Sequence, residues 1–173
     1  MSTLAPTTDL AGVQGTWTAD PVHSHVSFEV AYAGTNTFRG GFRKFAATLS
    51  DGRLEGSAEV ASVDVKDEQL DAHLQTPDFF DAARFPEITF SATSLDRGEL
   101  TIKGVTRPVG LSGSLSEPNV DPFGRERIGL KLQATVDRNE FGVSWNAPNQ
   151  GGGNYLGDEV TIVAELALVK QED

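Results

Sequence analysis

The 173-residue chain has no cysteine. That excludes a disulfide framework, thiolate ligands for zinc or iron-sulfur clusters, and a thiol nucleophile. Basic residues are scarce: fourteen Lys and Arg stand against twenty-five Asp and Glu, for a formal charge of -11. Such a surface repels phosphate backbones and anionic bilayers, so no nucleic-acid partner is expected. No apolar run approaches the roughly 20 residues of a membrane-spanning helix, and no stable membrane insertion is expected. The opening residues, MSTLAPTTDLAGVQG, lack the basic and apolar regions of a secretion signal, which makes a cytoplasmic location the expectation. They are small, polar and without period, so residues 1–15 read as a flexible tail before one domain over 16–173.

What the sequence does have is alternation. In HSHVSFEVAYAG, Ser24, Val26, Phe28 and Val30 share one face while His23, His25, Ser27 and Glu29 share the other. Ile128, Leu130, Leu132, Ala134 and Val136 alternate without a break, as do Val160, Ile162, Ala164, Leu166 and Leu168. Asp51-Gly52 is a two-residue hairpin signal, and Arg97-Gly98 reads as a second turn. The pattern predicts about eight strands in a meander, either a two-sheet sandwich or a closed antiparallel barrel. Glycines at 40, 41, 56, 104 and 110, inside or at the ends of long apolar alternations, favour the barrel because they mark bulges and corners.

One stretch departs from this rhythm. LDAHLQTPDFFDAARFPEITF concentrates aromatics after a helix signal in which Asp67 is the cap and Leu70 and Leu74 share a face. Thr76-Pro77 predicts a second helical turn, and Pro86 forces Phe85 into extended geometry ahead of the strand carrying Ile88 and Phe90. A crossover of this kind must bury its apolar side, and the open end of a barrel is the surface on offer. It either completes the core as a plug or forms the aromatic wall of a cavity.

Six ordered motifs carry a family resemblance: D-P-x-H-S-x-V-x-F from Asp20, G-G-F-x-x-F from Gly40, H-L-x-x-x-D-F-F-D from His73, F-P-E-I-x-F from Phe85, L-x-I-K-G-V-T-R-P-V from Leu100, and F-G-V-x-W with G-D-x-V between Phe141 and Val160. Together they resemble the YceI-like family across nearly the whole chain after residue 16. The resemblance implies an all-β, eight-stranded antiparallel lipocalin-like β-barrel with short helical crossover segments. It also implies an apolar cavity holding a polyisoprenoid chain or the tail of an isoprenoid quinone as ligand, with no other cofactor. Many relatives carry a secretion signal, which these opening residues do not resemble.

An eight-stranded barrel is just wide enough for one slender ligand, and burial yields about 0.8 kcal/mol per methylene-sized group. The candidate ligand-binding residues are Val26, Phe28, Val30, Phe42, Ile88, Phe90, Leu132, Val136 and Ile162 from the strands. Leu74, Phe79 and Phe80 join them from the crossover, and Phe141 and Trp145 from the segment beyond. Alternation says which residues share a face, not which face is inside. No metal site is expected from His23, His25 and His73, and no catalytic residue: there is no G-x-S-x-G elbow, and Ser24 and His25 point to opposite faces. The rival reading is an enzyme acting on an apolar small molecule in the cavity, which converging titratable groups would favour. Arg138 is either a salt-bridge partner at the rim or a headgroup contact. Asn146–Tyr155 is either a disordered surface loop or a mobile lid. A homodimer is compatible with all of this.

Overall fold

Alternation becomes sheet throughout the computed structural model, which describes residues 10–172. The strands are β1 (Thr16–Ala19), β2 (His25–Tyr32), β3 (Asn36–Phe42), β4 (Phe45–Ser50), β5 (Arg53–Glu59), β6 (Val63–Asp64), β7 (Glu87–Ala92), β8 (Arg97–Ile102), β9 (Val105–Gly110), β10 (Ser112–Leu115), β11 (Asn119–Val120), β12 (Glu126–Asp137) and β13 (Leu156–Lys170). One α-helix, α1 (Glu68–Leu74), lies between β6 and β7. Every strand pairing is antiparallel, and the hydrogen-bonded order is β6-β3-β2-β13-β1-β4-β5-β7-β8-β9, with β12 joining β13 to β10 and β11.

The described residues thus form thirteen strands rather than the expected eight. The physical reason is that side-chain alternation continues past interruptions in backbone pairing. Asp20–Ser24 separates β1 from β2, Arg43 and Lys44 separate β3 from β4, a 3-10 turn at Val60–Ser62 separates β5 from β6, Leu111 separates β9 from β10, and residues 116–118 separate β10 from β11. β13 shows the consequence. One edge follows β12 from Glu159 to Val169, while the other pairs β2 up to Glu165 and then β1 from Leu168.

Two turn expectations meet different outcomes. Asp51 and Gly52 both have positive φ (52° and 79°), as the primed hairpin turn requires. Arg97-Gly98, by contrast, opens β8, and the turn lies one step earlier, where the Ser94 hydroxyl accepts the Asp96 and Arg97 N–H groups. The glycine at 98 serves packing: a Cβ there would stand 2.7 Å from the Phe90 ring. In the crossover, the Asp67 carboxylate caps α1 by accepting from Gln69 and Leu70. The segment after Thr76 is not a second helix. Its hydroxyl donates to the His73 carbonyl while its own carbonyl accepts from Phe79 and Asp81, which makes a series of turns.

The core has two parts. One gathers Trp17, Leu49, Leu54, Leu130 and Leu168; the other gathers Leu74, Phe79, Ile102, Val136 and Phe141. Leu10 belongs to the first, only 1% exposed, and its N–H donates to the Thr93 carbonyl. Folded structure therefore includes Leu10, ahead of the expected boundary at 16; the rest of the expected tail, residues 1–9, lies outside the described residues.

An ionic chain ties the break between β1 and β2 to the β11–β12 turn. Asp20 accepts from His23 (2.7 Å) and Arg127 (3.0 Å), and Arg127 reaches on to Asp121 (2.7 Å). The His23 hydrogen bond, with help from Arg127, holds the Asp20 carboxyl at about 2, while Arg127 and backbone N–H groups hold Asp121 well below the carboxylate range. A depressed folded-state pKa stabilises the fold above the unfolded value, near 3.9, and that contribution is lost as pH falls through the folded one. Urea midpoints should therefore fall between pH 4 and pH 2. Asp20→Asn should lose about 1 kcal/mol or less at pH 7, given solvent screening, and show a shallower acid decline. An equal decline in both proteins would remove Asp20 from this account.

Candidate functional site

Most of the inner faces of these strands do not meet across the middle. They leave a cavity of about 270 Å³ between the two halves of the core and α1. Along β13 its lining runs from Leu156 to Leu166, about 30 Å of extended strand, so the space is long and slender. Val26, Phe28 and Val30 from β2, Phe42 from β3, Ile88 and Phe90 from β7, Leu132 and Val136 from β12, and Ile162 from β13 all line it. So do Leu74, Phe79 and Phe80 from the crossover and Phe141 from the 3-10 turn after β12. The inward face of β2 is the one opposite His25, which is exposed. Ser24, on the inward face, is buried and accepts the Ala167 N–H.

Trp145 does not line the cavity. It stacks edge-on against His73 (4.9 Å) and lies 5.4 Å from Phe79, so it braces the crossover from behind. Sequence reasoning missed Tyr32, Phe38, Leu54, Leu100, Ile102 and Leu156, all of which line the space. For Leu100 and Ile102 the signal was present as alternation in β8. Leu54 follows the Asp51-Gly52 turn and could have been placed by counting along the hairpin.

The polar features are few. Among the described residues lining the cavity, those with polar side chains are Tyr32, Ser57, Gln133 and Arg138, and Gln133 is exposed on the outer side of β12. Arg138 is 6% exposed, and its hydrogen bonds go to backbone carbonyls rather than to a carboxylate. Its Nε donates to the Gly157 carbonyl (2.8 Å), and its Nη1 to those of Val143 (2.7 Å) and Trp145 (2.8 Å). Burial pushes its pKa down, opposed by the nearby Asp158 and Asp137 carboxylates. Tyr32 shares a hydroxyl-to-hydroxyl hydrogen bond with Tyr155, which pushes the Tyr155 phenol up.

Asn146–Tyr155 is ordered by its own hydrogen bonds. The Asn146 side chain holds both the N–H and the carbonyl of Leu156, and Tyr155 N–H donates to Ala147. Asn149 closes the glycine tip by accepting from Gly152 and donating to Gly153.

The profile of the YceI-like domain matches residues 17–168. The chain belongs to the YceI-like family. It is 29% identical to Protein YceI of Salmonella arizonae over 137 residues, covering 70% of this chain and 72% of the relative. The fold resembles the crystal structure of Burkholderia cenocepacia BcnA, with a TM-score of 0.73 at 22% identity over 88% of this chain and 99% of that one. It also resembles a polyisoprenoid binding domain from Saccharophagus degradans implicated in plant cell wall breakdown, with a TM-score of 0.74 at 11% identity over 90% and 98% of the two chains. In this YceI-like chain, no helix among the described residues is long and apolar enough to cross a membrane.

Proposed function

We propose that this protein binds an isoprenoid lipid, a polyprenyl chain or an isoprenoid quinone tail, in its cavity, and that it sequesters or presents that lipid without chemically changing it. The observation that carries the reading is the lining: a long space walled by Phe, Leu, Ile and Val from β2, β5, β7, β8, β12 and β13. Its volume is that of about nine liquid waters, enough for about two isoprene units. Affinity for such a chain grows with the apolar area it buries, at about 25 cal/mol per Å².

The thirteen strands fit an eight-stranded lipocalin-like barrel when consecutive pieces are joined across their breaks: β1 with β2, β3 with β4, β5 with β6, and β9 with β10 and β11. β9 pairs β8 and β10 pairs β12, with only Leu111 between them, which carries the sheet from β8 round to β12. The enzyme alternative asks for titratable groups converging on the cavity. Among the described lining residues these are Tyr32, hydrogen-bonded to Tyr155, and Arg138, held by backbone carbonyls, and the lining offers them no carboxylate or imidazole with which to exchange a proton. The Saccharophagus domain's polyisoprenoid binding supports the same reading.

Organic extraction of protein purified from its native host, followed by mass spectrometry, tests it. A prenyl lipid near one per chain is expected. Lipid-free protein that also fails to take up added prenylated quinones and polyprenyl phosphates would overturn the proposal.

A further inference from the structure

Ser57 and Gln133 alternate with the buried positions of β5 and β12 and so face outward. Among the described residues, that leaves Tyr32 and Arg138 as the polar side chains of the cavity wall. Tyr32 pairs with Leu156 at one end of β13, and Arg138 donates to the carbonyl of the next residue, Gly157. The opposite end, around Ala47, Leu54 and Leu166, is apolar and is sealed below by Leu49, Leu168 and Trp17. The cavity is therefore polarised along its length.

Both polar groups have unused donors. Arg138 spends Nε and Nη1 on three carbonyls, while Nη2 is buried without a hydrogen-bond partner. An unpaired buried donor costs about 1–3 kcal/mol, and more when charged, which an acceptor oxygen arriving with a ligand would relieve. In the Tyr32–Tyr155 pair, one hydroxyl proton is used between the two oxygens and the other is left to donate. The exposed Asp137 and Asp158 already offset part of the Arg138 charge, which lowers the gain from an anionic head. A neutral acceptor depends less on that charge.

We infer that the Arg138–Tyr32 end is a headgroup subsite that takes the neutral carbonyl oxygen of an amphiphilic lipid such as a quinone, with the tail running toward Leu166. This rests on the lipid-binding reading above and adds an orientation and a headgroup class to it. A hydrogen bond from a charged donor to the head oxygen makes a prenylated benzoquinone bind about tenfold to a hundredfold more tightly than a hydrocarbon of equal chain length. The prenyl monophosphate falls between the two.

The chain holds two tryptophans, Trp17 and Trp145, which report on opposite ends. Trp145 accepts from Arg138 through its carbonyl, whereas Trp17 is buried in the sealed half of the core. Quinone heads quench tryptophan emission at short range. In Trp17→Phe, the remaining Trp145 emission should fall severalfold on binding the benzoquinone; in Trp145→Phe, the remaining Trp17 emission should change little. Arg138→Lys should narrow the preference for quinone over hydrocarbon, read as the ratio of the two affinities in the same folded variant so that a general loss of stability cancels, an outcome that a purely structural arginine would not give. Stronger quenching of Trp17, equal quenching of both, or equal affinity for quinone and hydrocarbon overturns the subsite while leaving lipid binding intact. Failure to bind any of the three probes overturns the lipid-binding reading itself.

Discussion

Phe90→Asp is expected to abolish lipid binding. Phe90 lines the cavity, packs against both halves of the core and presses its ring where a side chain at Gly98 would be. A carboxylate there has no cation to pair with, and burying it costs several kcal/mol, felt as a raised pKa or as lost stability. The milder Phe90→Ala leaves the wall apolar but removes contact area, and should weaken binding of a prenylated quinone by about 1–3 kcal/mol. His25→Ala changes an exposed side chain on the outward face of the same β2 strand that sends Val26, Phe28 and Val30 inward. Its affinity should stay within a few-fold of the parent. Circular dichroism establishes that each variant is folded before titration. If His25→Ala abolished binding while Phe90→Ala left it untouched, the ligand would lie on the outer surface.

That contrast also marks how far the sequence could be read. In β12 the residues from Ile128 to Val136 alternate without interruption, and the structure buries every apolar one while exposing Lys131, Gln133 and Thr135. Period 2 is set by the pleat itself, so no tertiary knowledge was needed to find the shared face. Which side was inside required a second fact, supplied by partners far away in sequence: Leu130 lies opposite Leu166, and Leu132 opposite Ala164.

The misread positions share a cause. Gly98 looked like a turn residue, but its lack of a side chain makes room for Phe90 from the neighbouring strand, a contact no local window contains. Leu10 lies in a segment with no apolar period, and its partner at Thr93 reveals that it is tied down. Trp145, expected in the wall, instead packs against His73 and Phe79, partners on the crossover far from it in sequence. Thirteen strands stand where eight were expected because hydrogen bonding breaks where a strand bends while the alternation of side chains runs on.

Arg138→Leu is expected to be the most destabilising single change. Arg138 follows β12 directly, where Asp137 caps the 3-10 turn by accepting from Asn139. From there one guanidinium gathers the carbonyls of Val143, Trp145 and Gly157, which belong to separate stretches of backbone. Leucine fills much of the space but donates nothing, so three carbonyls lose a charged donor in a region mostly closed to water. Each such bond contributes about 1.5–3 kcal/mol, less the desolvation relieved by removing the cation, so a net loss of roughly 3 kcal/mol or more is expected. That is a large fraction of the 5–15 kcal/mol typical of a folded domain. Arg138→Lys, with one compact ammonium in place of the planar fork, reaches fewer of the three acceptors and should fall between leucine and the parent. Urea unfolding at pH 7 measures the series. Similar midpoints for arginine, lysine and leucine would show that the three carbonyls find other donors and that the buried cation does not hold these segments together.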